Sequence, residues 1–276
     1  MCRVLMVSKA GYYAWRHRPR SERGKRDDAL RFRVIAFHRQ SHGRYGSRPI
    51  LHDLRQDGER VSRKCVVRLM QDANIQGKPP RAFRATTNSK HDKHVARNIL
   101  DRQFDPSDIA SPNRTWAGDI TYIRTREGWL YLAVVLDLFS RRVIGRSMSH
   151  RLESRIVLDA LQMAVDRRRP HGSVLAHSDR GVQYASEAVQ RFYERNGLVC
   201  SMSRKGNCWD NAVVESFFAT LKRELDDPTF ESRESARSTI FEYIEIWYNR
   251  QRRHSTLGYV SPERFEIQQG TLTTCP

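Results

Sequence analysis

The chain has 276 residues and a formal net charge of +18, long enough for one substantial core or two domains. Its first 100 residues hold 24 Lys and Arg against 8 Asp and Glu, while the rest is nearly neutral, so the amino-terminal third asks for a polyanionic partner. There is no heptad run and no apolar stretch near the roughly 18 residues of a membrane span, which favours nucleic acid over membrane as that partner.

Residues 1–26 read as a basic amino-terminal segment. Residues 27–76 carry apolar positions at helical spacing in ALRFRVIAF, PILHDL and VVRLM. Within them RPILHDLRQ, DGERV and SRKCVVRLMQDANI predict helix, turn and helix, with Ser62 as the amino-terminal cap and Arg63, Lys64 and Arg68 on the outer side of the second helix. A helix-turn-helix reader of DNA has this pattern, as does a plain helical hairpin; the local charge favours the former. Residues 77–111 are polar, basic and broken by prolines, the composition of a linker. His91 and His94 in this stretch have no cysteine pair at zinc-ligand spacing. The five cysteines (Cys2, Cys65, Cys200, Cys208, Cys275) form no CxxC pair, and no long apolar leader opens the chain, which points to a reducing, bacterial-type cytoplasm.

Beyond the linker the period changes from helix to strand. TWAGDITYI, WLYLAVVLD and VIGRSMS predict three antiparallel strands joined by short turns. A helix over SRIVLDALQMAVDRRR, a strand SVLAHSD, a helix near SEAVQRFYERN, a strand LVCSMS and a last helix from residue 211 follow. The middle strand, nearly all apolar, is expected to be buried on both faces. The class is therefore α/β, a mixed five-stranded sheet with flanking helices, preceded by a small all-α helix-turn-helix-like domain.

The stretch NAVVESFFATLKREL, residues 211–225, sets a glutamate inside an apolar run. At roughly 100° per residue, Val214, Phe217, Phe218, Leu221 and Leu225 form one stripe, and Asn211, Glu215 and Lys222 share one edge of it. Two further acids fall where such a sheet keeps its chemistry: Asp119 within the first strand and Asp179 ending the fourth. If those strands are neighbours, the two aspartates converge and the helix edge brings Glu215 to them. Three such carboxylates repel unless divalent cations join them, and hard oxygen ligands favour Mg²⁺ or Mn²⁺. Two ions about 4 Å apart suit in-line phosphoryl displacement. Asp137, Asp159, Asp210 and Glu224 have ordinary readings: a turn, an amphipathic helix, a helix cap and a solvated face. Asp137 stays open to a supporting role.

WAGDIT, HSDRGVQY and NCWDNAVVESFFATLKREL resemble the three catalytic blocks of DDE transposases and retroviral-type integrases, with 35 residues between Asp179 and Glu215. In detail they are most similar to second-frame, orfB-type transposases of the insertion-sequence-three family, as are MCRVLMVSKAGYYAWRHRP, HGRYGSRPI and YNRQRRHSTLGYVSPERF, so the resemblance covers almost the whole chain. It implies an RNase H-like integrase core over residues 112–226 and Asp119, Asp179 and Glu215 as the catalytic, metal-binding triad, with no covalent enzyme intermediate, since water and then a DNA hydroxyl supply the nucleophile. It also implies that Lys222 contacts the element's DNA end; a salt bridge to Glu215 is the plainer alternative for that lysine. Trp209 and Asn211 match the same block as supports or DNA contacts. Residues 227–276 form a helical and basic extension, in which Tyr243, Ile244, Trp247 and Tyr248 suit packing and Arg250, Arg252, Arg253 and His254 suit a DNA backbone.

The expected function is metal-dependent cleavage at insertion-element ends followed by strand transfer, that is, DNA recombination and integration in a nucleoid-associated, cytoplasmic setting. Its partners would be element and target DNA, further copies of the chain in a homo-multimer, and an upstream first-frame protein joined to it by frameshifting. A nuclease that cuts without joining, or a catalytically silent DNA-binding regulator of transposition, are the alternatives.

Overall fold

The computed structural model describes residue 2 and residues 4–79, 95–204, 208–225 and 229–270; His91 and His94, with the middle of the expected linker, lie outside the described residues. The chain divides into two compact units, Met1–Lys78 and Pro79–Pro276.

The first unit is all helical: α1 (Lys9–Arg16), α2 (Glu22–Gln40), α3 (Ser47–Gln56) and α4 (Arg63–Asp72). Serines open three of them, because a Ser Oγ can satisfy a backbone N–H that the first turn leaves without a partner. Ser8 accepts from Gly11, Ser21 from Gly24 and Ser62 from Cys65. The cap at Ser21 starts α2 five residues earlier than apolar spacing alone indicates, and α1 adds a helix to the basic amino-terminal segment while burying none of its residues. Helices α2, α3 and α4 pack pairwise around Leu30, Val34, Ile50, Leu54, Val66 and Leu69.

The second unit is built on β1 (Thr115–Thr125), β2 (Gly128–Asp137), β3 (Val143–Ser149), β4 (Val174–Ser178) and β5 (Leu198–Met202) in the order β3-β2-β1-β4-β5. The first three are antiparallel, and β4 and β5 run parallel to β1. A sixth strand, β6 (Thr229–Phe230), pairs with the far end of β1, an addition to the five read from the sequence. Residues Leu130, Leu132, Ala133, Val134, Val135 and Leu136 of β2 are buried, so that strand is covered on both faces. Helices α5 (Ser154–Arg168) and α6 (Glu187–Arg195) share a core with Trp116, Ala133, Val135 and Ile144. Helix α7 (Ala212–Glu224) adds nothing to that core and packs on β1 from the other face. At Gly145 the backbone of α5 lies so close to β3 that a Cβ would collide with the Ala160 carbonyl.

The carboxyl-terminal extension belongs to this unit and does not stand apart from it. Helix α8 (Arg233–Glu242) runs into a π-helical turn, Tyr243–Tyr248, and α9 (Pro262–Gln268) follows. Glu224, read from sequence as solvated, is buried at the end of α7. Its carboxylate accepts from Tyr243 Oη at 3.0 Å, Trp247 Nε1 at 3.0 Å and Arg252 Nε at 3.0 Å. Glu266 of α9 is likewise buried, accepting from Ser140 Oγ at 2.6 Å and Arg142 Nη1 at 2.9 Å and pairing with Arg168.

Buried carboxylates with this many donors are stable only while the set is complete. Glu224→Ala is expected to lower stability by about 3–5 kcal/mol, since it strands the Arg252 guanidinium in the interior. Tyr243→Phe, which removes one donor of several, should cost only ~1 kcal/mol. Urea midpoints for the two variants check the ordering.

Candidate active site

Strand pairing brings the first two acids together. The parallel register matches Gly118 with Ser178, so the next residues along, Asp119 and Asp179, stand side by side at the carboxyl end of β4. Asp119 Oδ1 accepts from the Ile120 N–H at 2.7 Å, and Asp179 Oδ1 accepts from the Gly181 N–H at 2.9 Å. Gly181 lets the backbone approach closely, since a Cβ there would come within 2.9 Å of the Asp179 carboxylate and push it aside.

The third acid comes from α7. Its stripe of Val214, Phe217, Phe218, Leu221 and Leu225 is buried, as the spacing predicts, which leaves Glu215 half-buried on the helix edge in the first turn. Burial raises the Glu215 pKa, and the charge of Asp179 raises it further. Asp119 is pushed well above the usual carboxylate range by desolvation, then by Asp179 and by Glu215, with the Ile120 N–H and Lys222 opposing. The three carboxylates thus act on one another's charge. Among the described residues, however, no group of three or more His, Cys, Asp or Glu is drawn close enough to hold a metal ion. The donor set fits a hard divalent cation by its chemistry, three carboxylates whose shared repulsion a cation would relieve.

Lys222 makes no ion pair with Glu215 among the described residues. Desolvation lowers its pKa and the Asp119 carboxylate raises it, so the charge that the ammonium meets is the strand aspartate. Arg63 and Lys64 are exposed at the start of α4; Arg63 Nε lies 3.4 Å from Ser47 Oγ. Arg68 is held by Asp27 at 2.9 Å and Asp72 at 3.5 Å. Arg250 is exposed, with its Nε 3.8 Å from Glu263. Arg253 donates to the Tyr259 carbonyl at 2.7 Å. Arg252 requires a correction: it is the buried partner of Glu224, with its side chain 14% exposed, and cannot lie along a DNA backbone. The sequence places it in a basic run, and only the fold turns it inward.

Several residues around the site take roles that local spacing does not assign. Tyr184 is buried on the α5 side of β1, its hydroxyl 3.1 Å from where a Gly118 Cβ would stand. Desolvation raises its pKa, with Asp119 and Asp179 adding to the rise. Asp210, expected as a helix cap, is a buried clamp instead. It accepts from Arg204 Nε and Nη2, both at 2.9 Å, from Arg102 Nε at 2.9 Å and from Asn98 Nδ2 at 3.0 Å. Those bonds, the Arg204 side chain's first, hold its pKa far below the usual range. Asn211 Nδ2 lies 3.4 Å from the Gly118 carbonyl, tying the start of α7 to the strand residue before Asp119. Asp137 closes the β2–β3 turn, accepting from the Asn113 N–H at 2.8 Å and the Phe139 N–H at 2.9 Å.

Comparison with known proteins follows the same division. A description of an integrase core domain matches residues 110–208, a second matches residues 196–262, and an HTH-like domain matches residues 25–83. The transposase InsF of insertion sequence IS3A from Escherichia coli strain K12 is 45% identical over 272 residues, which span 96% of this chain and 92% of that one. An uncharacterized 31 kDa protein of insertion element IS600 from Shigella sonnei is 43% identical over 266 residues, spanning 96% and 97%. Among solved structures, a simian T-cell lymphotropic virus intasome in complex with a PP2A regulatory subunit aligns over 88% of this chain and 77% of its own, with a TM-score of 0.47 and 16% identity. The fold is that of an integrase-type core joined to a helix-turn-helix-like unit. The chain belongs to the insertion-sequence-three (IS3) transposase family.

The electrostatics make a signed prediction. A carboxyl whose folded pKa is raised stabilises the fold below its unfolded pKa, near 3.9 for Asp, and loses that contribution as pH rises through the folded value. The metal-free protein should therefore lose stability as pH rises from about 4 through the raised Asp119 pKa. Asp119→Asn should flatten that decline and raise the melting temperature at neutral pH in the presence of chelator, as read by thermal unfolding across pH.

Proposed function

We propose that Asp119, Asp179 and Glu215 are the catalytic carboxylates of this transposase and that they act on phosphodiesters at the element's ends. The observation that carries this is the placement of three acids from β1, the end of β4 and α7 so that the charge of Asp179 raises the pKa of both Asp119 and Glu215, and that of Glu215 raises Asp119 further. Repulsion of that kind is retained in a fold where a bound cation is to relieve it. Two Mg²⁺ or Mn²⁺ ions, held by these three residues, would supply activation of the attacking oxygen and stabilisation of the leaving oxygen.

The chain's own contribution is placement. Asp119 and Asp179 are set by strand register, and Glu215 by a helix anchored through Asn211 at one end and Glu224 at the other. In the first step water attacks the phosphorus and the P–O3′ bond breaks, freeing a 3′ hydroxyl. In the second that hydroxyl attacks another phosphodiester, forming one P–O bond and breaking one. Lys222, with its ammonium in the field of Asp119, is the side chain to meet a non-bridging phosphate oxygen. Arg63, Lys64 and Arg250 are the exposed cations for the DNA backbone, with Arg68 and Arg253 sharing their charge with protein partners. Two ends joined in one reaction ask for more than one copy, and a fused first-frame protein would add recognition of the ends. Among the described residues no helix is long and apolar enough to cross a membrane, in keeping with action at the nucleoid.

Glu215→Gln is expected to lower Mg²⁺-dependent cleavage and joining on plasmid carrying the element's ends by about a thousandfold or more, with DNA binding retained. Cleavage that survives in Glu215→Gln removes the triad. Products cut but never joined would favour a nuclease, and binding without cleavage, even by the fused protein, a regulator. Lys222→Ala should weaken DNA binding and reduce its salt slope by about 1, the signature of one lost phosphate contact.

A further inference from the structure

The turn Cys208–Asn211 lies directly before α7, and its residues go in opposite directions. Asp210 points inward, its side chain fully buried under five donors counting the Arg204 N–H at 2.8 Å. Asn211 is also buried, against the Gly118 carbonyl. Trp209, between Cys208 and this pair, stands 68% exposed. An indole so exposed forgoes most of the burial that its ring offers, and here the backbone beneath it is fixed by charge-assisted hydrogen bonds, so the exposure is built into the turn. Side-chain guanidinium groups of Arg102 and Arg204 flank the turn, 45% and 47% exposed.

We propose that Trp209 is a stacking platform for an unpaired nucleobase of the DNA end whose phosphate is held at Asp119, Asp179 and Glu215. The site deepens the transposase reading and rests on it. Glu215 lies six positions beyond Trp209, one turn of 3₁₀ and the first turn of α-helix, roughly 10 Å of rise. Nucleotides in a strand rise about 3.4 Å each, so the indole meets a base about three nucleotides or fewer from the reacting phosphate. Every base has a π-face, and stacking on an aromatic ring holds it without reading its identity. The flanking arginines share their charge with Asp210 and Asp101, so the indole is the part of this turn that holds the base. Capture of a base at this distance would hold the end open and keep the scissile phosphate in register with the carboxylates.

The test is binding of the full chain to a short fluorescent duplex, compared with the same duplex carrying a few unpaired nucleotides at its 3′ end. The wild-type chain should prefer the forked DNA. Trp209→Ala should weaken forked binding by about five- to a hundredfold, the size of one stacked base, and leave the paired duplex unchanged. Trp209→Phe, which keeps a π-face, should retain most of the preference. Equal affinity of the wild-type chain for both DNAs, or a preference unchanged in Trp209→Ala, overturns the proposal. So does an altered oligomeric state in Trp209→Ala with the fork preference intact, which would make the indole a contact between copies. Glu215→Gln should keep the preference, so failure of the stacking site and failure of the catalytic reading give different results.

Discussion

Two half-buried aspartates stand side by side at neighbouring parallel strands, and the rest of the second unit is arranged around their repulsion. Asp119 belongs to β1, the central strand of the five, held on both sides, so neither its backbone nor the register that sets it opposite Asp179 can relax. Hydrogen bonds from Ile120 and Gly181 stabilise one oxygen of each carboxylate, and Lys222 offsets part of the charge on Asp119, while Asp179 and Glu215 still raise the Asp119 pKa. A cost of this kind persists only when surrounding structure over-determines it, and sites of chemistry are where proteins keep it.

The third carboxylate depends on how α7 is anchored. At its start, Asn211 reaches Gly118 and Asp210 gathers Arg204, Arg102 and Asn98. At its end, Glu224 gathers Tyr243, Trp247 and Arg252 from the carboxyl-terminal extension. Between these anchors the apolar stripe fixes the rotation of the helix about its axis, and that rotation puts Glu215 on the cleft edge. The extension therefore holds the active site, although none of its residues lies among the three acids.

Much of this was legible beforehand. Alternation and apolar runs mark the strands and the doubly covered β2, Ser62 marks the start of α4, and the wheel of residues 211–225 separates stripe from edge. The misreadings have one cause. Glu224 in KREL sits at a position polar enough to pass for solvated, and Arg252 in RQRRH passes for a DNA-facing cation. Each is buried because the other lies 28 residues away to pair with it. Asp210 reads as a cap because the donors that bury it include residues more than 100 positions earlier. Lys222 lies two turns from Glu215 on the helix, but its ammonium answers to Asp119 across the cleft.

The sequence by itself determined the alternation of strands and helices, the two-unit charge asymmetry, and which acids interrupt apolar segments, since each of these depends on neighbours within a few residues. Tertiary structure alone decided which of those acids meet, which basic side chains turn inward, and which aromatic rings stay exposed. Those outcomes depend on strand order and on pairs far apart in the chain, where the cost of burying a charge is settled by a partner that local spacing does not reveal.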